Sequence, residues 1–215
     1  RDNYFASPGN SRKDAMMRLF QQITLRLRIS AAPNTVREYT GELPTKIATV
    51  INMAQEWSDE IVAIGVRHKV VVDAFATAIR EAMPDRKLFV VTGATMSLAK
   101  RRALRKTLRK SKNGILLCTQ QSLPSSVNFE YVNKVIIPEL HYNNSRMSQF
   151  YMRFVRFNSK HWKDIYFVTH AGSIESNLMQ MVLARSGLIC LCAVRMPAWM
   201  KFMRSSELNT ICFLC

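Results

Sequence analysis

Short, unbroken apolar runs alternate with longer amphipathic stretches from Ile61 onward, and this alternation predicts the fold. Continuous apolar strands are typical of a sheet covered on both faces, and helix-length spacers between them indicate parallel crossover connections. The pattern therefore predicts an α/β fold, a parallel sheet with helices on both faces. Five runs form the predicted strands: Ile61–Ile64, Leu88–Val91, Ile115–Cys118, Val135–Ile137 and Ile165–Val168.

Two helices are predicted ahead of the first strand. Ser11 resembles an N-cap, with the acid Asp14 three residues later. The helix that follows is predicted to bury one stripe, formed by Met16, Phe20, Ile23 and Leu27. The polar residues 30–41 end this helix, and Pro44 suits the first turn of a second one. The buried face of the second helix is predicted to hold Ile47, Val50, Ile51 and Ala54.

Length and composition suggest how the chain is divided. With 215 residues, 48% of them apolar, the chain is long enough for one large domain with a real core, with or without appendages. We predict a short helical lead-in over residues 1–43 and the α/β lobe over residues 44–186. Residues 187–215 form a Cys- and Met-rich tail to which we assign no role.

Four of the five cysteines lie in the tail as two close pairs. Cys190 with Cys192, and Cys212 with Cys215, could supply four thiolates to zinc, but no glycine or polar knuckle surrounds either pair. Free, mostly buried thiols in a reducing compartment are the favoured interpretation. The four histidines have no metal-binding spacing either, so no metal site is predicted.

The charge indicates the class of partner. Thirty-one Lys and Arg against 15 Asp and Glu give a net charge of +16, which favours DNA, RNA or an acidic membrane surface. No apolar run reaches the roughly 20 residues of a membrane span, and no signal-peptide core is present at the N-terminus. We therefore expect no membrane partner and an intracellular location, in the cytoplasm or nucleoid, or in the nucleus of a eukaryotic cell.

Candidate binding residues follow the predicted strands, because ligands of parallel sheets bind beyond the carboxyl ends of the strands. Four segments are expected at this rim: Gly65–His68, Thr92–Gly93, Thr119–Gln121 and Glu139–His141. Nearby, Lys100–Lys112 has eight basic residues and no acidic one, with Leu104 and Leu108 one turn apart. This stretch predicts a basic helix that tracks a nucleic-acid backbone, with a solvated outer helix as the alternative.

A second arginine-bearing helix is predicted before the last strand. Gln149, Arg153 and Arg156 are spaced i, i+4 and i+7 and would share one helical face, while Phe150, Phe154 and Phe157 would form another. The planar, permanently charged fork of arginine can stabilise a phosphoryl group in transit. The alternative is an amphipathic helix whose arginines are merely solvated.

The sequence also lacks the usual nucleotide and hydrolase motifs. No phosphate loop of the form G-x-x-x-x-G-K-[ST] occurs, and no acidic D-E-x-x box follows an apolar strand. A G-x-S-x-G elbow is absent too, which removes support for a serine hydrolase. If ATP is bound, its main cradle lies outside this chain.

The order of these segments, from about Gly41 to Arg185, resembles the second RecA-like lobe of superfamily-two helicases, most closely the Swi/Snf-type DNA translocases. Six stretches carry the resemblance: Ile61–His68, Val91–Gly93 with the basic helix, Ile115–Phe129, Val135–Asn143, Gln149–Arg156 and Gly172–Glu175. In the same order, the segments of the family that they resemble are the fourth motif, the segment after it, the fifth motif, the strand with the Trp-Asn-Pro turn, the sixth motif and the Gly-Thr-Ile-Glu start of the last helix. Two departures stand out: Ser122–Ser126 replaces the glycines of the fifth motif, and Phe157–Ser159 replaces Ile-Gly-Gln.

The resemblance implies roles for individual residues. Arg153 and Arg156 would be arginine fingers, and Gln149 would help to place the γ-phosphate or the attacking water. Thr119 and Gln120 would couple the nucleotide cleft to the nucleic-acid track. The nucleic-acid contacts would come from Arg67, His68, Thr92, Gly93, Arg101, Arg102, Arg105, Lys106, Thr119, Gln120 and Asn128. ATP with Mg²⁺ would be held mostly by a first lobe, in the same or another chain.

The expected function is therefore the second motor lobe of an ATP-dependent DNA translocase or helicase, inactive as an isolated chain. RNA is the alternative track. The rival class is a non-enzymatic nucleic-acid-binding protein that retains the helicase-lobe fold. Gln149, Arg153 and Arg156 favour the motor, whereas the missing glycines of the fifth motif favour the rival.

Overall fold

The computed structural model describes residues 9–36, 39–93, 97–123, 128–155, 163–181, 202–204 and 208–214. The helices are α1 (Gly9–Ala31), α2 (Thr45–Glu56), α3 (Lys69–Ala82), α4 (Leu98–Ser111), α5 (Asn144–Tyr151) and α6 (residues 174–181), with a 3-10 turn at Pro33–Thr35. The strands are β1 (Val62–Val66), β2 (Leu88–Val91), β3 (Ile115–Thr119), β4 (Lys134–Ile137), β5 (Asp164–His170), β6 (Phe202–Arg204) and β7 (Leu208–Leu214).

The first five strands form a parallel sheet in the order β2-β3-β1-β4-β5. Each predicted apolar run lies within one of these strands or overlaps it to within one residue, so the prediction of a parallel α/β sheet is confirmed. In the tail, β7 pairs antiparallel with β5, and β6 pairs with β7. The sequence analysis predicted no strand in this tail, and the boundaries at residues 43/44 and 186/187 remain predictions.

Alternating side chains of the sheet pack into two cores, one on each face. On one face, Leu116 and Val135 pack with Leu108 of α4 and with Phe150 of α5. The opposite face carries Ile64, Leu117 and Ile136 and is covered by α2 and α3. Because strands buried on both faces need apolar residues at every position, the sequence shows unbroken runs there.

The two lead-in predictions have different outcomes. All four predicted core residues of α2 are buried, with exposed fractions from 0 to 4%. In α1, by contrast, only Leu27 of the predicted stripe is fully buried, whereas Met16 and Phe20 are 41% and 39% exposed. The helix also begins at Gly9, two residues before the predicted N-cap Ser11. Periodicity identifies one face of a helix, but it does not show how far along the helix a packing partner extends.

Arg86 also stabilises this arrangement, at the edge of the sheet where β1 and β3 begin. The Arg86 guanidinium donates to four backbone carbonyl oxygens, those of Ala54, Trp57, Glu60 and Asn113. These bonds join the end of α2 to the loops before β1 and β3.

Among the described helices, none combines the length and apolar character needed to cross a membrane.

Candidate functional site

The buried Glu139 organises the carboxyl edge of the sheet. Its side chain is fully buried, and Oε2 accepts hydrogen bonds from the backbone N–H groups of Arg67 (2.6 Å) and His68 (3.0 Å). The other carboxylate oxygen contacts Nδ1 of His68. One carboxylate thus fixes the segment after β1 to the segment after β4. The sequence analysis placed Glu139 at this rim but gave it no role.

Gln120 connects the ends of three neighbouring strands. Its Nε2 donates to the carbonyl oxygens of Gly65 (3.2 Å) and Glu139 (2.6 Å), and its backbone N–H donates to Val66 (2.7 Å). The residue is only 5% exposed, and its Oε1 is buried without a hydrogen-bond partner in the described part of the chain. The preceding Thr119 is also buried, and its hydroxyl contacts that of Ser122. Gln120 thus joins the ends of β1, β3 and β4, and the coupling role of Thr119 and Gln120 stays a prediction.

A cleft of about 270 Å³ opens beside Gln120 and gathers residues from two predicted motifs. Gln149 and Arg153 line it together with Arg146, and the loop after β3 contributes Gln121 and Leu123. Two arginines and three amide side chains therefore meet in one open depression. Arg146 and Gln121 were not assigned a role by the sequence analysis, although Arg146 lies one helical turn before the predicted sixth motif.

The prediction that Gln149, Arg153 and Arg156 share one face of a helix is wrong for Arg153, which lies beyond the end of the helix. Helix α5 ends at Tyr151, and Arg153 lies in a turn whose N–H donates to the carbonyl of Phe150 (3.0 Å). Its own carbonyl accepts from the N–H of Phe129 (3.1 Å). Spacings of three and four residues fit a helix and a tight turn alike, so the pattern could not show the end of the helix. Arg156 and Phe157 lie outside the described residues.

The predicted apolar face of the same segment is confirmed for its described members. Phe150 and Phe154 are 1% and 0% exposed, and their ring centroids are 5.3 Å apart in an edge-to-face arrangement. Phe150 also packs directly over Gly65 at the end of β1. A Cβ atom on Gly65 would lie 2.2 Å from Cζ of Phe150, so only glycine allows this approach of α5 to the sheet. This contact sets where Gln149 and Arg153 lie.

The remaining rim residues lie at or near the same edge. Thr92 is buried, Gly93 is exposed, and Asn128, inside the fifth-motif segment, is half-buried. The guanidinium of Arg67 stacks over the ring of Tyr142, 4.7 Å from its centroid. Burial, with the nearby Arg67 and Arg146, lowers the pKa of His141 to about 4. His141 is therefore neutral near pH 7, and its Nδ1 accepts the N–H of Asn143 (2.9 Å).

The four basic residues predicted on α4 divide into two pairs. Arg102 and Lys106 are exposed. Arg105 forms an ion pair with Glu130 (3.1 Å), and Arg101 donates to the carbonyl of Gly93 (3.4 Å). The spacing explains this division, because Arg101 and Arg105 flank the apolar stripe that ends in the buried Leu108.

No three His, Cys, Asp or Glu side chains of the described residues are grouped so that they could hold a metal ion. Cys118 is buried and free, and burial raises the pKa of its thiol. The zinc alternative for the tail involves Cys190, Cys192 and Cys215, which lie outside the described residues.

The fold of the chain, a parallel sheet with helices on its two faces, is similar to that of two solved structures at low sequence identity. The structure is similar to the C-terminal part of the Fun30 ATPase domain, with a TM-score of 0.55 and 17% identity over 76% of this chain and 53% of that one. It is also similar to domain 2 of the Mss116p DEAD-box helicase bound to an RNA duplex, with a TM-score of 0.55 and 14% identity over 66% and 55% of the two chains.

A weaker similarity links the chain to T4 UvsW, with a TM-score of 0.41 and 16% identity over 48% of this chain and 21% of that one. The chain spans about half the length of the first two matched structures. Comparison of the sequence with protein-family profiles gives no match, and comparison with curated proteins gives none either.

Proposed function

We propose that this chain is the second motor lobe of an ATP-dependent nucleic-acid translocase or helicase, with DNA as its track. The observation that carries the proposal is the cleft where Gln120, Gln149 and Arg153 meet. These residues come from the predicted fifth and sixth motifs, 29 positions or more apart in sequence, and the fold brings them to one depression. The fold supports the same reading, because it is that of a helicase second lobe.

The hydrogen-bond donors that line the cleft suit the γ-phosphate end of a nucleoside triphosphate. Arg146 and Arg153 offer guanidinium groups, which bind phosphate oxygens in a bidentate manner, and the amides of Gln149 and Gln121 can place a phosphate or a water. When bound, ATP supplies the γ-phosphoryl group that is transferred to water. Arg153 would stabilise the charge that develops during that transfer, and Gln149 would orient the water. Mg²⁺ and most of the triphosphate would be held by the first lobe.

Gln120 would link that cleft to the nucleic-acid rim. Its side chain bonds the carbonyls of Gly65 and Glu139, and Glu139 in turn holds the backbone of Arg67 and His68. A displacement of Gln120 on closure of the cleft would therefore shift the predicted backbone contacts. Buried polar connections of this kind have few alternative arrangements, so they transmit a shift rather than absorb it.

The rival function is nucleic-acid binding without a motor. It shares the basic surface and the fold, and the missing fifth-motif glycines favour it. The two functions differ in the cleft: a binding protein has no need for Gln149 and Arg153 to face one depression with Gln120. Hydrolysis by the two-lobed protein separates them.

The isolated chain is expected to bind duplex DNA with little sequence preference and with steep salt dependence. Each duplex phosphate contact contributes a slope of about 0.9 log units of affinity per log unit of salt. Arg102→Gln/Lys106→Gln removes two exposed cations of α4, so the slope should fall by about two. Fluorescence titrations at several salt concentrations measure it.

A control variant removes the same charge from the opposite edge of the sheet. Arg80→Gln/Lys87→Gln changes two exposed cations there and should leave the slope nearly unchanged. Equal effects of the two variants would mean that the contact depends on overall charge and not on α4. Parallel titrations with duplex RNA establish which track is preferred.

A further expected result is that the isolated chain does not hydrolyse ATP. The phosphate loop and the acidic box that would hold the triphosphate and Mg²⁺ are absent from its sequence. Phosphate release is measured with and without duplex DNA, and a polypeptide that includes a first lobe serves as the positive control. Robust turnover by the isolated chain would contradict the split-motor proposal.

A further inference from the structure

The N-terminal half of α1 extends beyond the core and exposes large apolar side chains. Met17 is 60% exposed, Leu19 44% and Phe20 39%, whereas Leu27 in the C-terminal half is fully buried. Single exposed apolar residues are ordinary on a protein surface, but a group of them on one helix marks a site of interaction.

A groove runs along α1 from Met17 to Arg28. It has a volume of about 280 Å³ and is lined by Met17, Phe20, Gln21, Thr24, Leu25 and Arg28 of α1 and by His68 of the rim. Met17, Thr24 and Arg28 lie seven and four residues apart and so follow one another along one side of the helix. Methionine is flexible and polarisable, so Met17 can adapt to an apolar side chain that enters the groove.

Positive charge lies along the groove. Lys13 and Arg18 are exposed on the same helix, Arg28 is half-buried in the groove lining, and Asp14 is the one acidic residue between positions 12 and 31. An apolar groove inside a basic border is complementary to an apolar stripe with an acidic border. A nucleic-acid backbone would match the charge but would leave the apolar side chains without a partner.

We propose that this groove, bounded by α1 and His68, docks an amphipathic helix of a partner protein whose polar face is acidic. Apolar side chains at i, i+3 or i+4 and i+7 of the partner would enter the groove, as in other helix-in-groove contacts. Its Asp and Glu side chains would face the arginines of α1. None of these α1 residues lines the cleft of Gln120, Gln149 and Arg153, so substitutions in α1 test the groove without changing the cleft or His68, which the groove shares with the predicted nucleic-acid rim.

A synthetic helical peptide of about 18 residues, with leucines on one face and glutamates on the other, is the probe. Fluorescence anisotropy measures its binding to the full chain, next to the same peptide with lysines in place of glutamates. The glutamate peptide is expected to bind and the lysine peptide to bind at least about tenfold more weakly. Met17→Gln should weaken binding of the glutamate peptide by about tenfold, because an apolar contact with the groove lining is lost.

Met181→Gln is the matched control, since Met181 is 52% exposed on α6 and lies outside the groove. It should leave peptide binding unchanged, and melting curves show that both variants fold. Lys13→Glu/Arg18→Glu should weaken binding at low salt more than at high salt. Equal binding of the two peptides, or binding unaffected by Met17→Gln, would overturn the proposal. So would a Met17-dependent affinity for anionic lipid vesicles or duplex DNA in the absence of any binding to the glutamate peptide.

Discussion

Arg153→Ala is expected to slow ATP hydrolysis by the two-lobed protein by about a thousandfold or more. Removal of a finger arginine leaves the charge that develops on the transferred phosphoryl group without its main donor, and losses of this order are typical. The substitution should not disturb the fold, because the bond from the N–H of Phe129 to the carbonyl of Arg153 uses main-chain atoms only. Steady-state hydrolysis at saturating DNA is the measurement.

Two further variants test the role of the guanidinium. Arg153→Lys should recover little activity, because an ammonium keeps the charge but not the planar fork. Arg80→Ala removes an exposed arginine from α3, far from the cleft, and should leave turnover unchanged. Hydrolysis, DNA affinity and melting are measured on all three proteins. A stable, DNA-binding Arg153→Ala protein with normal turnover would show that Arg153 is not a finger, and a matching loss of melting temperature would assign it a structural role.

The central strands of the lobe could be predicted from the sequence because they are buried on both faces. β3, for example, is buried along its whole length, and Ile115–Cys118 reads as one unbroken apolar run. The antiparallel pairing of β7 with β5 could not be predicted in the same way. β7 lies between β5 and β6, and nothing local to residues 208–214 identifies β5 as its neighbour across the sheet.

The candidate site was predicted in part. The resemblance to the helicase motifs implied that Gln149 and Arg153 lie at a nucleotide cleft to which Gln120 couples; the described cleft contains all three, and their roles stay predictions. The spacing could not reveal that α5 ends at Tyr151, nor that the turn after it is bonded to Phe129, far away in sequence. Glu139 was also missed as an organising residue: a lone acid after a strand reads as exposed until its backbone partners are known.

The exposed half of α1 has a similar explanation. Met16 and Phe20 continue the spacing of Ile23 and Leu27, so the sequence predicts one stripe over the whole helix. Of these four side chains only Leu27 is fully buried, whereas Met16 and Phe20 are exposed. Helical periodicity thus shows that one face of a helix is apolar. It does not show whether that face packs against the protein's own core or against another molecule.

A buried ion pair joins the lead-in helix α2 to the end of the lobe. Nζ of Lys46 lies 2.6 Å from Oε2 of Glu175 and also donates to the carbonyl of Pro138 (3.1 Å), and both charged side chains are fully buried. Glu175 accepts in addition the N–H of His170 (3.2 Å). Burial lowers the pKa of Lys46, and the negative charge of Glu175 opposes that shift. The free-energy cost of desolvating the two charges therefore offsets much of their electrostatic attraction, as is general for buried ion pairs.

Glu175→Gln is consequently expected to lower the free energy of unfolding by about 3–5 kcal/mol, because it leaves the Lys46 ammonium buried without its counter-charge. Lys46→Met/Glu175→Gln should cost clearly less, since no charge remains in the core and the Gln side-chain oxygen can still accept the N–H of His170. Glu130→Gln breaks the half-exposed pair with Arg105 and should cost less than about 1 kcal/mol. Urea unfolding measures the free energy of unfolding of the three proteins. A double variant less stable than Glu175→Gln would contradict this expectation. It would mean that the ion pair itself, and not the avoidance of a lone buried charge, stabilises the junction of α2 with α6.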